Sequence, residues 1–373
     1  MISVFGSLID ENEIDKVRSV MESQWLGFGK KVDEFESAFA SYRGIPDMAM
    51  VDSGSNALFM AVKLLNLPQG SEVIIPSFTW VSCAQAVLMA GCVPVFCDVD
   101  LQTMNVRAID IEPRITTKTA AIMVVHYAGL PVEMDSILAL GLPVIEDAAH
   151  AVVSSYKGRP CGTIGDVGIF SFDAVKNLAV GEGGGLIARD PASMERARRL
   201  RYCGIGKSGF ESAVSSAEGK KRWWEYHIDE PFIKMLPTNI AGAIGLGQLE
   251  KLDALQARRR EIWQRYDHEL GLLPGVDLPV GDSPHTEHSY FTYCIQAEDR
   301  DELAFYLFDR GIYTTVRYHP LHLNPLYGQM DVNLPNSQTL NARALNIPLH
   351  PRLTDDEVSH IVSSIATFQQ GRA

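Results

Sequence analysis

Short apolar runs rich in valine and isoleucine alternate with longer segments of helical periodicity along much of the first half of the chain. The apolar runs cover residues 72–76, 93–96, 120–125 and 143–147, and the helical segments between them include residues 80–90 and 134–140. Apolar strands separated by helices are typical of a parallel sheet that is covered on both faces. The pattern therefore predicts α/β architecture with a mostly parallel sheet.

The pattern changes in the second half of the chain. Residues 201–224 are rich in glycine and serine and have weak periodicity, which predicts a long loop. A helical pattern with a leucine face resumes at 238–266 and would join two domains. Beyond it, a strand at 290–295 and helices at 300–309 and 355–368 predict a small α+β domain.

Length and composition agree with a two-domain globular protein. The chain has 373 residues, of which 46% are hydrophobic and 21% are charged. Two domains are the natural expectation for this length, and we predict a large α/β domain over residues 1–240 and a small one over residues 241–373. No apolar stretch approaches the roughly 18 residues of a membrane span, and the N-terminus lacks the basic and apolar regions of a signal peptide. A soluble cytoplasmic protein without a membrane partner is expected.

Charge and cysteine usage exclude two further classes. The net charge of −13 argues against a nucleic-acid partner, since phosphate binding requires a basic face. The six cysteines have neither a C-x-x-C pair nor a repeated spacing, so they indicate reduced thiols rather than zinc ligands or a disulfide framework.

Polar residues follow several of the predicted strands. Ligands of open α/β sheets bind beyond the carboxyl ends of the strands. The residues expected there are 77–80, His126, Tyr127, Asp147 and Ser171.

Lys176 is the most informative residue of this group. It lies between the apolar run 170–172 and the glycine cluster 181–185. A partly desolvated amine is a good nucleophile because burial favours its neutral form, and such an amine can hold an aldehyde as a Schiff base. Most lysines are solvated surface charges, so this interpretation requires partners elsewhere in the sequence.

A phosphate site is one such partner. Ser53, Gly54 and Ser55 precede an apolar helical run that ends at Leu65. Backbone N–H groups and the helix dipole at a helix start favour a phosphate. The alternative is a serine that only caps the helix.

Asp147 and Trp80 are the other candidate partners. A carboxylate at a strand end that faces a cleft can hold a proton on a heterocyclic nitrogen, and an indole at a strand end can stack on a flat ring. The alternatives for Asp147 are a helix N-cap or a metal site with Glu146 and His150. The metal site is the weaker alternative, because no second histidine lies at helical spacing from His150. Trp80 could equally be a packing residue.

These four parts together describe a site for pyridoxal 5'-phosphate, which needs a phosphate cradle, a stacking plane, a carboxylate and a Schiff-base lysine. The segment 182–185 is not a dinucleotide fingerprint, since it lacks the G-x-G-x-x-G spacing.

The order and spacing of these motifs resemble the DegT/DnrJ/EryC1/StrS family of sugar aminotransferases, over nearly the whole chain. The residues that carry the resemblance are Ser53-Gly54-Ser55, Pro76-Ser77-Phe78-Thr79-Trp80, Glu146-Asp147-Ala148-Ala149-His150, Gly165-Asp166, Phe170-Ser171-Phe172, Lys176-Asn177, Gly181-Glu182-Gly183-Gly184, Gln248-Leu249-Glu250-Lys251, Tyr318-His319-Pro320-Leu321-His322 and Asn346-Ile347-Pro348-Leu349. The resemblance implies fold type I of the pyridoxal-phosphate enzymes, a homodimer with active sites at the subunit interface, and amino transfer to a keto-sugar that is commonly nucleotide-linked.

The resemblance also implies roles for individual residues. Lys176 would form the Schiff base, Asp147 would pair with the pyridine nitrogen, Trp80 would lie against the ring and His150 beside it. The cofactor phosphate would bind to Gly54, Ser55 and Ser171.

One departure from the family pattern concerns the neighbouring subunit. Many members have an Asn-Tyr-Arg run that reaches the neighbour's cofactor phosphate, whereas this chain has Phe232-Ile233-Lys234 and, further on, Asn239. Lys234 or Asn239 would have to replace that contact. A subset that resembles the 4-amino-4-deoxyarabinose enzymes also has lysine at the first of these positions.

The phosphates of a substrate need cations in an acidic protein. The candidates are Arg317, His319, Lys234 and residues of the 201–224 loop. His319 and His322 could equally be structural residues of a turn.

The expected reaction is a ping-pong transamination with L-glutamate as the donor and pyridoxamine 5'-phosphate as the intermediate form of the cofactor, with no metal. It would serve amino-sugar biosynthesis for a surface polysaccharide such as lipopolysaccharide, or for a glycosylated metabolite. A 3-dehydratase is disfavoured, since its relatives have histidine in place of Lys176. A catalytically silent regulatory protein is disfavoured by the retained site. A non-nucleotide acceptor, such as an oxidised eight-carbon sugar acid or an aminocyclitol ketone, stays open, as do the sugar and the position of amination.

Overall fold

Thirteen strands form three sheets in the part of the chain that the computed structural model describes, which is residues 1–206, 226–316 and 318–371. Arg317 and most of the predicted loop at 201–224 lie outside the described residues. The strands are β1 Ala49–Val51, β2 Glu72–Pro76, β3 Val93–Cys97, β4 Thr119–Val125, β5 Val144–Asp147, β6 Ser155–Tyr156, β7 Arg159–Pro160, β8 Val167–Ser171, β9 Gly184–Ala188, β10 Val276–Asp277, β11 Thr286–Glu287, β12 Tyr293–Ala297 and β13 Ala344–Ile347.

The largest sheet has seven strands in the order β1-β9-β8-β5-β4-β2-β3. Strand β9 is antiparallel to both of its neighbours, and the other six strands run in one direction. The predicted mostly parallel sheet is therefore confirmed. Because the six strands share a direction, their carboxyl ends lie at one edge of the sheet, where ligands bind in folds of this class.

Twelve α-helices lie within the described residues. The α-helices are Glu11–Glu22, Lys30–Arg43, Gly54–Leu64, Val81–Met89, Ala108–Ile111, Met134–Leu138, Pro191–Leu200, Asn239–Glu250, Leu252–Leu270, Arg300–Phe308, Pro335–Arg343 and Asp355–Gln370. Short 3₁₀ turns occupy Glu112–Arg114, Tyr127–Gly129, Leu321–Leu323 and Pro325–Tyr327. None of the helices within the described ranges is both long and apolar enough to cross a membrane.

The two faces of the sheet pack against different helices. Along β2, the side chains of Val73 and Ile75 belong to one apolar cluster and the side chain of Ile74 belongs to another. This follows from the alternation of side chains along a strand. The first cluster includes the helices Gly54–Leu64 and Val81–Met89. The sheet is thus buried on both faces, which explains why its strands are apolar without polar alternation.

A second unit lies in the C-terminal part. Strands β10, β12 and β13 form an antiparallel sheet, and the helices Leu252–Leu270, Arg300–Phe308 and Asp355–Gln370 pack on a common apolar cluster with it. Ile2 joins this cluster, because the first residues of the chain pair with the segment at Gly311–Tyr313. The boundary between residues 240 and 241 stays a prediction, since the helix Asn239–Glu250 packs against the two N-terminal helices.

The strand predicted at 290–295 begins later, at Tyr293. Tyr290 has a φ of +48°, and the N–H groups of Ser289 and Phe291 donate to the carbonyls of Gly129 and Ala128. A left-handed residue interrupts an extended strand. The two hydrogen bonds hold the segment against the turn Tyr127–Gly129, which follows β4 of the large sheet. Residues 289–291 therefore connect the two units instead of extending β12.

Candidate active site

A cavity of about 490 Å³ opens at the carboxyl edge of the large sheet. Its wall contains seven of the residues that the sequence singles out for the cofactor, namely Gly54, Ser55, Trp80, Asp147, His150, Ser171 and Lys176. They come from the ends of four strands and from the connection between β8 and β9. The parallel topology therefore brings together residues that are far apart in the sequence.

The floor of the cavity near β1 is the start of the helix Gly54–Leu64. Ser53 caps this helix, and its hydroxyl accepts the N–H of Asn56 at 3.2 Å. The N–H groups of a first helical turn have no carbonyl partner within the helix, and they favour an anion. The cap interpretation and the phosphate interpretation of this motif are therefore compatible.

Gly54 lies so close to β8 that any larger residue would force its neighbours to shift. A Cβ atom at position 54 would lie 2.8 Å from the Cβ of Ser171. The Ser171 hydroxyl accepts the N–H of Asp173 at 3.4 Å, and the hydroxyls of Ser55 and Ser82 are 2.7 Å apart. A helix start and three hydroxyl groups thus surround one end of the cavity, which is a donor set suited to a phosphate.

Asp147 is buried at the end of β5. Its Oδ1 accepts the N–H of Ala149 at 3.0 Å, and its Oδ2 accepts the thiol of Cys83 at 3.3 Å. Burial raises the pKa of Asp147, while the Ala149 N–H, the charge of Lys176 and the Cys83 thiol oppose that rise. A buried carboxylate of this kind is stabilised by a cation that enters the cavity.

The alternative roles of Asp147 do not fit the structure. No α-helix follows β5 before β6 in the described chain, so Asp147 is not a helix N-cap. Glu146 faces away from Asp147 and accepts the N–H groups of Gly162, Ile164 and Gly165. Across the described residues, no three His, Cys, Asp or Glu side chains are grouped as a metal site would require.

Lys176 lies in a turn that is held from two sides. Its N–H donates to the carbonyl of Asp173 at 2.9 Å, and the carbonyl of Ala174 accepts the hydroxyl of Ser7. The next residue, Asn177, donates through its side-chain amide to the carbonyl of Ser289. The N-terminal segment and the C-terminal unit thus both anchor the turn that carries the lysine.

Aromatic rings form the wall behind Lys176. The Lys176 Nζ lies 4.6 Å from the centroid of the Phe291 ring. His150 stacks on the same ring with centroids 4.1 Å apart, and Phe5 stacks on it at 5.9 Å. The Oη of Tyr318 lies 3.0 Å from the Nε2 of His150. Phe5, Phe291 and Tyr318 are not among the predicted site residues. Tyr318 lies in the motif Tyr318-His319-Pro320-Leu321-His322 that carries part of the family resemblance, whereas no local motif distinguishes Phe5 and Phe291.

Trp80 and His150 differ strongly in exposure. The Trp80 side chain is 55% exposed and its ring centroid lies 6.2 Å from that of Tyr318, whereas His150 is 5% exposed. An exposed indole at the cavity mouth is available to contact a flat ligand. The stacking role of Trp80 stays a prediction.

Three of the residues predicted for substrate phosphates and for the neighbouring subunit are described by the structure and lie outside the cavity wall. Lys234 and His319 are exposed and are not part of the cavity wall, and His319 contacts the side chain of Asn341. Asn239 is buried, and its amide accepts the N–H of Lys31 and donates to the carbonyl of Trp25. Arg317 is outside the described residues. These four roles stay predictions.

The contacts of His322 fit the interpretation that it is a structural residue of a turn. It is fully buried, and its Nδ1 lies 2.6 Å from the hydroxyl of Ser77. The same hydroxyl accepts the backbone N–H of His322 at 3.2 Å. This pair fixes the turn Leu321–Leu323 against the end of β2.

Comparison with known proteins shows the family to which the chain belongs. The model of the DegT/DnrJ/EryC1/StrS aminotransferase family matches residues 7–366. The dTDP-4-dehydro-2,3,6-trideoxy-D-glucose 4-aminotransferase of Saccharopolyspora spinosa is 40% identical over 367 residues, which is 96% of this chain and 94% of that protein.

Solved structures agree with this assignment. The aminotransferase TlmJ from Streptoalloteichus hindustanus superposes with a TM-score of 0.93 at 36% identity, covering 100% of both chains. Spr1654 from Streptococcus pneumoniae, solved in PMP and PLP forms, has a TM-score of 0.93 at 27% identity in its PMP form, again over 100% of both chains. This chain therefore belongs to the DegT/DnrJ/EryC1/StrS aminotransferases, and it is a sugar transaminase that depends on pyridoxal phosphate.

Proposed function

We propose that this enzyme transfers the amino group of L-glutamate to the keto group of a nucleotide-linked sugar in two half-reactions. The observation that carries the proposal is the placement of Lys176, Asp147 and the start of the helix Gly54–Leu64 on one cavity wall. A nucleophilic amine, a buried carboxylate and an anion site are the three groups that a pyridoxal-phosphate transaminase requires.

The cavity fits the cofactor at both ends. The close approach of Gly54 to Ser171 leaves backbone N–H groups and hydroxyls exposed to a phosphate without a side chain in between. At the other end, the buried Asp147 carboxylate is a partner for a protonated ring nitrogen. When bound, pyridoxal phosphate supplies an electron sink that stabilises a carbanion next to the transferred nitrogen.

Lys176 is the proposed covalent anchor and proton carrier. Its Nζ would hold the cofactor's aldehyde carbon in the resting enzyme. After the amino donor displaces it, the same Nζ would move the proton of the donor's Cα to the cofactor's aldehyde carbon, which completes the first half-reaction. In the second half-reaction it would move a proton from that carbon to the keto carbon of the acceptor. The anchored turn and the Phe291 ring support this role, because they limit the positions that the amine can take.

Asp147 would keep the ring nitrogen protonated. The carboxylate is held by Ala149 and Cys83, so little reorganisation is needed when the cation arrives. His150 would lie beside the ring, with Tyr318 bound to its Nε2. The stacked Phe291 would exclude water from the space behind the lysine.

The proposed acceptor is a 4-keto sugar that is linked to a nucleoside diphosphate. The support is the 40% identical relative, whose name gives a dTDP-linked 4-dehydro sugar and amination at position 4. The product would serve amino-sugar biosynthesis.

We also propose that the enzyme is a homodimer. Trp25 and Leu26 are 64% and 43% exposed, although large apolar side chains are usually buried. They precede the helix Lys30–Arg43, and the carbonyl of Trp25 accepts the amide of Asn239. Sedimentation of the holoenzyme should give twice the mass of one chain, and a monomer at micromolar concentration would contradict the proposal.

A half-reaction assay tests the acceptor. The purified pyridoxamine form is mixed separately with dTDP-4-keto-6-deoxy sugars, the free sugars, an oxidised eight-carbon sugar acid, an aminocyclitol ketone, 2-oxoglutarate and another simple α-keto acid. The absorbance of the pyridoxal form is recorded for each. We expect the nucleotide-linked 4-keto sugars and 2-oxoglutarate to restore that absorbance. Restoration by simple α-keto acids alone would overturn the sugar assignment, and restoration by an oxidised eight-carbon sugar acid or an aminocyclitol ketone alone would favour the non-nucleotide acceptors.

A further inference from the structure

The Cys83 thiol lies behind the cavity wall and contacts Asp147. Cys83 is in the first turns of the helix Val81–Met89, is 0% exposed and is not among the residues that line the cavity. Its Sγ is 3.3 Å from the Oδ2 of Asp147 and 3.4 Å from the Oγ1 of Thr79. The strand order explains this contact, because β2, which leads into this helix, is separated from β5 only by β4.

The direction of the hydrogen bonds follows from the chemistry of the three groups. Burial, together with the nearby Asp147 charge, raises the pKa of the Cys83 thiol well above its ordinary value. The thiol is therefore protonated at neutral pH and donates its one proton to the carboxylate. The Thr79 hydroxyl can then donate to the sulfur, which gives a chain from Thr79 through Cys83 to Asp147.

The Asp147 carboxylate is held at both oxygens. The Ala149 N–H binds Oδ1 at 3.0 Å and the Cys83 thiol binds Oδ2 at 3.3 Å. Two donors on different oxygens resist rotation of the carboxylate about the Cβ–Cγ bond. Each oxygen keeps a further lone pair for a partner in the cavity.

We propose that Cys83 is a positioning residue, which fixes the plane of the Asp147 carboxylate toward the ring nitrogen of the cofactor. The inference builds on the proposed role of Asp147. Cys83 itself touches neither the cofactor's reacting atoms nor the substrate. Its effect on cofactor binding passes through Asp147 alone.

Cys97 provides a matched control. It is 1% exposed, its thiol also has a raised pKa because it is buried, and its Sγ lies 3.4 Å from a backbone carbonyl, that of Ile75. Removing either thiol takes the same number of atoms out of a buried apolar cluster, that of Cys83 on one face of the large sheet and that of Cys97 on the other. Only the thiol of Cys83 contacts Asp147.

The test measures the dissociation constant of pyridoxal phosphate in the full-length variants Cys83→Ala, Cys83→Ser and Cys97→Ala. Loss of the donor in Cys83→Ala should weaken cofactor binding by about fivefold, the effect of one lost hydrogen bond of average strength, since a thiol is a weak donor. Cys83→Ser keeps a donor and should recover most of this loss. Cys97→Ala should bind the cofactor as the wild type does.

A double-mutant cycle separates positioning from packing. In an Asp147→Asn background, Cys83→Ala should cause no further loss of cofactor affinity, because the residue through which it acts has been removed. Equal effects of Cys83→Ala in both backgrounds, or equal affinities of Cys83→Ala and Cys97→Ala, would overturn the proposal.

The cycle also distinguishes failure of the positioning role of Cys83 from failure of the proposed function. If Asp147→Asn weakens cofactor binding and Cys83→Ala does not, only the positioning role is wrong. If Asp147→Asn leaves both cofactor affinity and the spectrum of the bound cofactor unchanged, the role of Asp147 itself is wrong, and the proposal for Cys83 fails with it.

Discussion

The Lys176 amine lies over the face of the Phe291 ring, with 4.6 Å between Nζ and the ring centroid. Phe291 belongs to the segment that connects the C-terminal unit to the large sheet, and its N–H donates to the carbonyl of Ala128. The electron-rich face of a ring attracts a cationic amine, and the ring is also a solid wall for a neutral one. The C-terminal unit therefore contributes directly to the position of the lysine.

Phe291→Leu should slow amino transfer without releasing the cofactor. Leucine keeps most of the packing volume but removes the flat face that contacts Lys176 and stacks on His150. We expect the rate of the glutamate half-reaction to fall by roughly tenfold, because a small displacement of the amine lowers the fraction of molecules in which it is placed to react. Stopped-flow absorbance measures this rate.

The control for that variant is Phe305→Leu, since Phe305 is 73% exposed and lies outside the cavity wall. It should react at the wild-type rate. An unchanged rate in Phe291→Leu would show that the ring does not position the amine.

Gly54→Ala should weaken cofactor binding strongly. Alanine is favoured over glycine in a helix, so helix propensity would not explain a loss of cofactor affinity. Such a loss would come from the Cβ atom of the alanine, which would lie 2.8 Å from the Cβ of Ser171. Displacement of Ser171 or of the first helical turn should weaken pyridoxal phosphate binding by about tenfold or more, the equivalent of one lost charge-assisted hydrogen bond. Fluorescence titration measures the affinity.

Gly281→Ala is the control for the glycine variant, because a Cβ atom at position 281 would meet only the Nε1 of Trp263, at an ordinary contact distance of 3.7 Å. It should bind the cofactor normally. Equal affinity in Gly54→Ala and the wild type would place the phosphate elsewhere.

The raised pKa of Asp147 predicts how the stability of the cofactor-free protein depends on pH. Burial raises the pKa of this carboxyl in the folded state, so the folded protein binds its proton more tightly than the unfolded chain does. The contribution to stability is present at low pH and is lost as the pH rises through the folded pKa. At pH 7 the buried carboxylate should therefore lower the stability of the cofactor-free protein.

Asp147→Asn removes this charge with little change in shape. The cofactor-free variant should unfold at a higher temperature than the cofactor-free wild type at pH 7, and the difference should shrink as the pH falls toward 4. Scanning calorimetry at several pH values measures both trends. A variant that is less stable than the wild type at pH 7 would show that the carboxylate is stabilised by its neighbours without the cofactor.

The part of the site that depends on strand ends could be predicted from the sequence. Ser171 and Asp147 each end an apolar run, and Gly54 begins a helical one, so their positions follow from the direction of the parallel strands. Lys176 follows from its place between an apolar run and a glycine cluster. In each case a local pattern determines where the residue lies relative to the sheet.

The aromatic wall and the thiol could not be predicted in the same way. Phe5 lines the cavity and stacks on the buried Phe291, because the N-terminal segment and the C-terminal unit pack together, and no local periodicity encodes that contact. In the sequence, Cys83 is one of six scattered cysteines with no feature that marks it. Its contact with Asp147 depends on the order of β2, β4 and β5 in the sheet. Strand order is a long-range property that a single sequence does not specify.

The same reason explains the shifted strand in the C-terminal unit. The sequence predicts a strand at 290–295, but the left-handed Tyr290 and the hydrogen bonds to Ala128 and Gly129 delay its start to Tyr293. Tertiary contacts therefore override the local preference at the place where the two units meet.

The most direct test of the account is reduction of the holoenzyme with borohydride, followed by digestion and mass spectrometry. Reduction should abolish the visible absorbance of the bound cofactor and should leave a phosphopyridoxyl group on the peptide that contains Lys176. The Lys176→Ala variant should carry no such label and should lack transaminase activity. A label on another lysine, or full turnover by Lys176→Ala, would contradict the central role of Lys176.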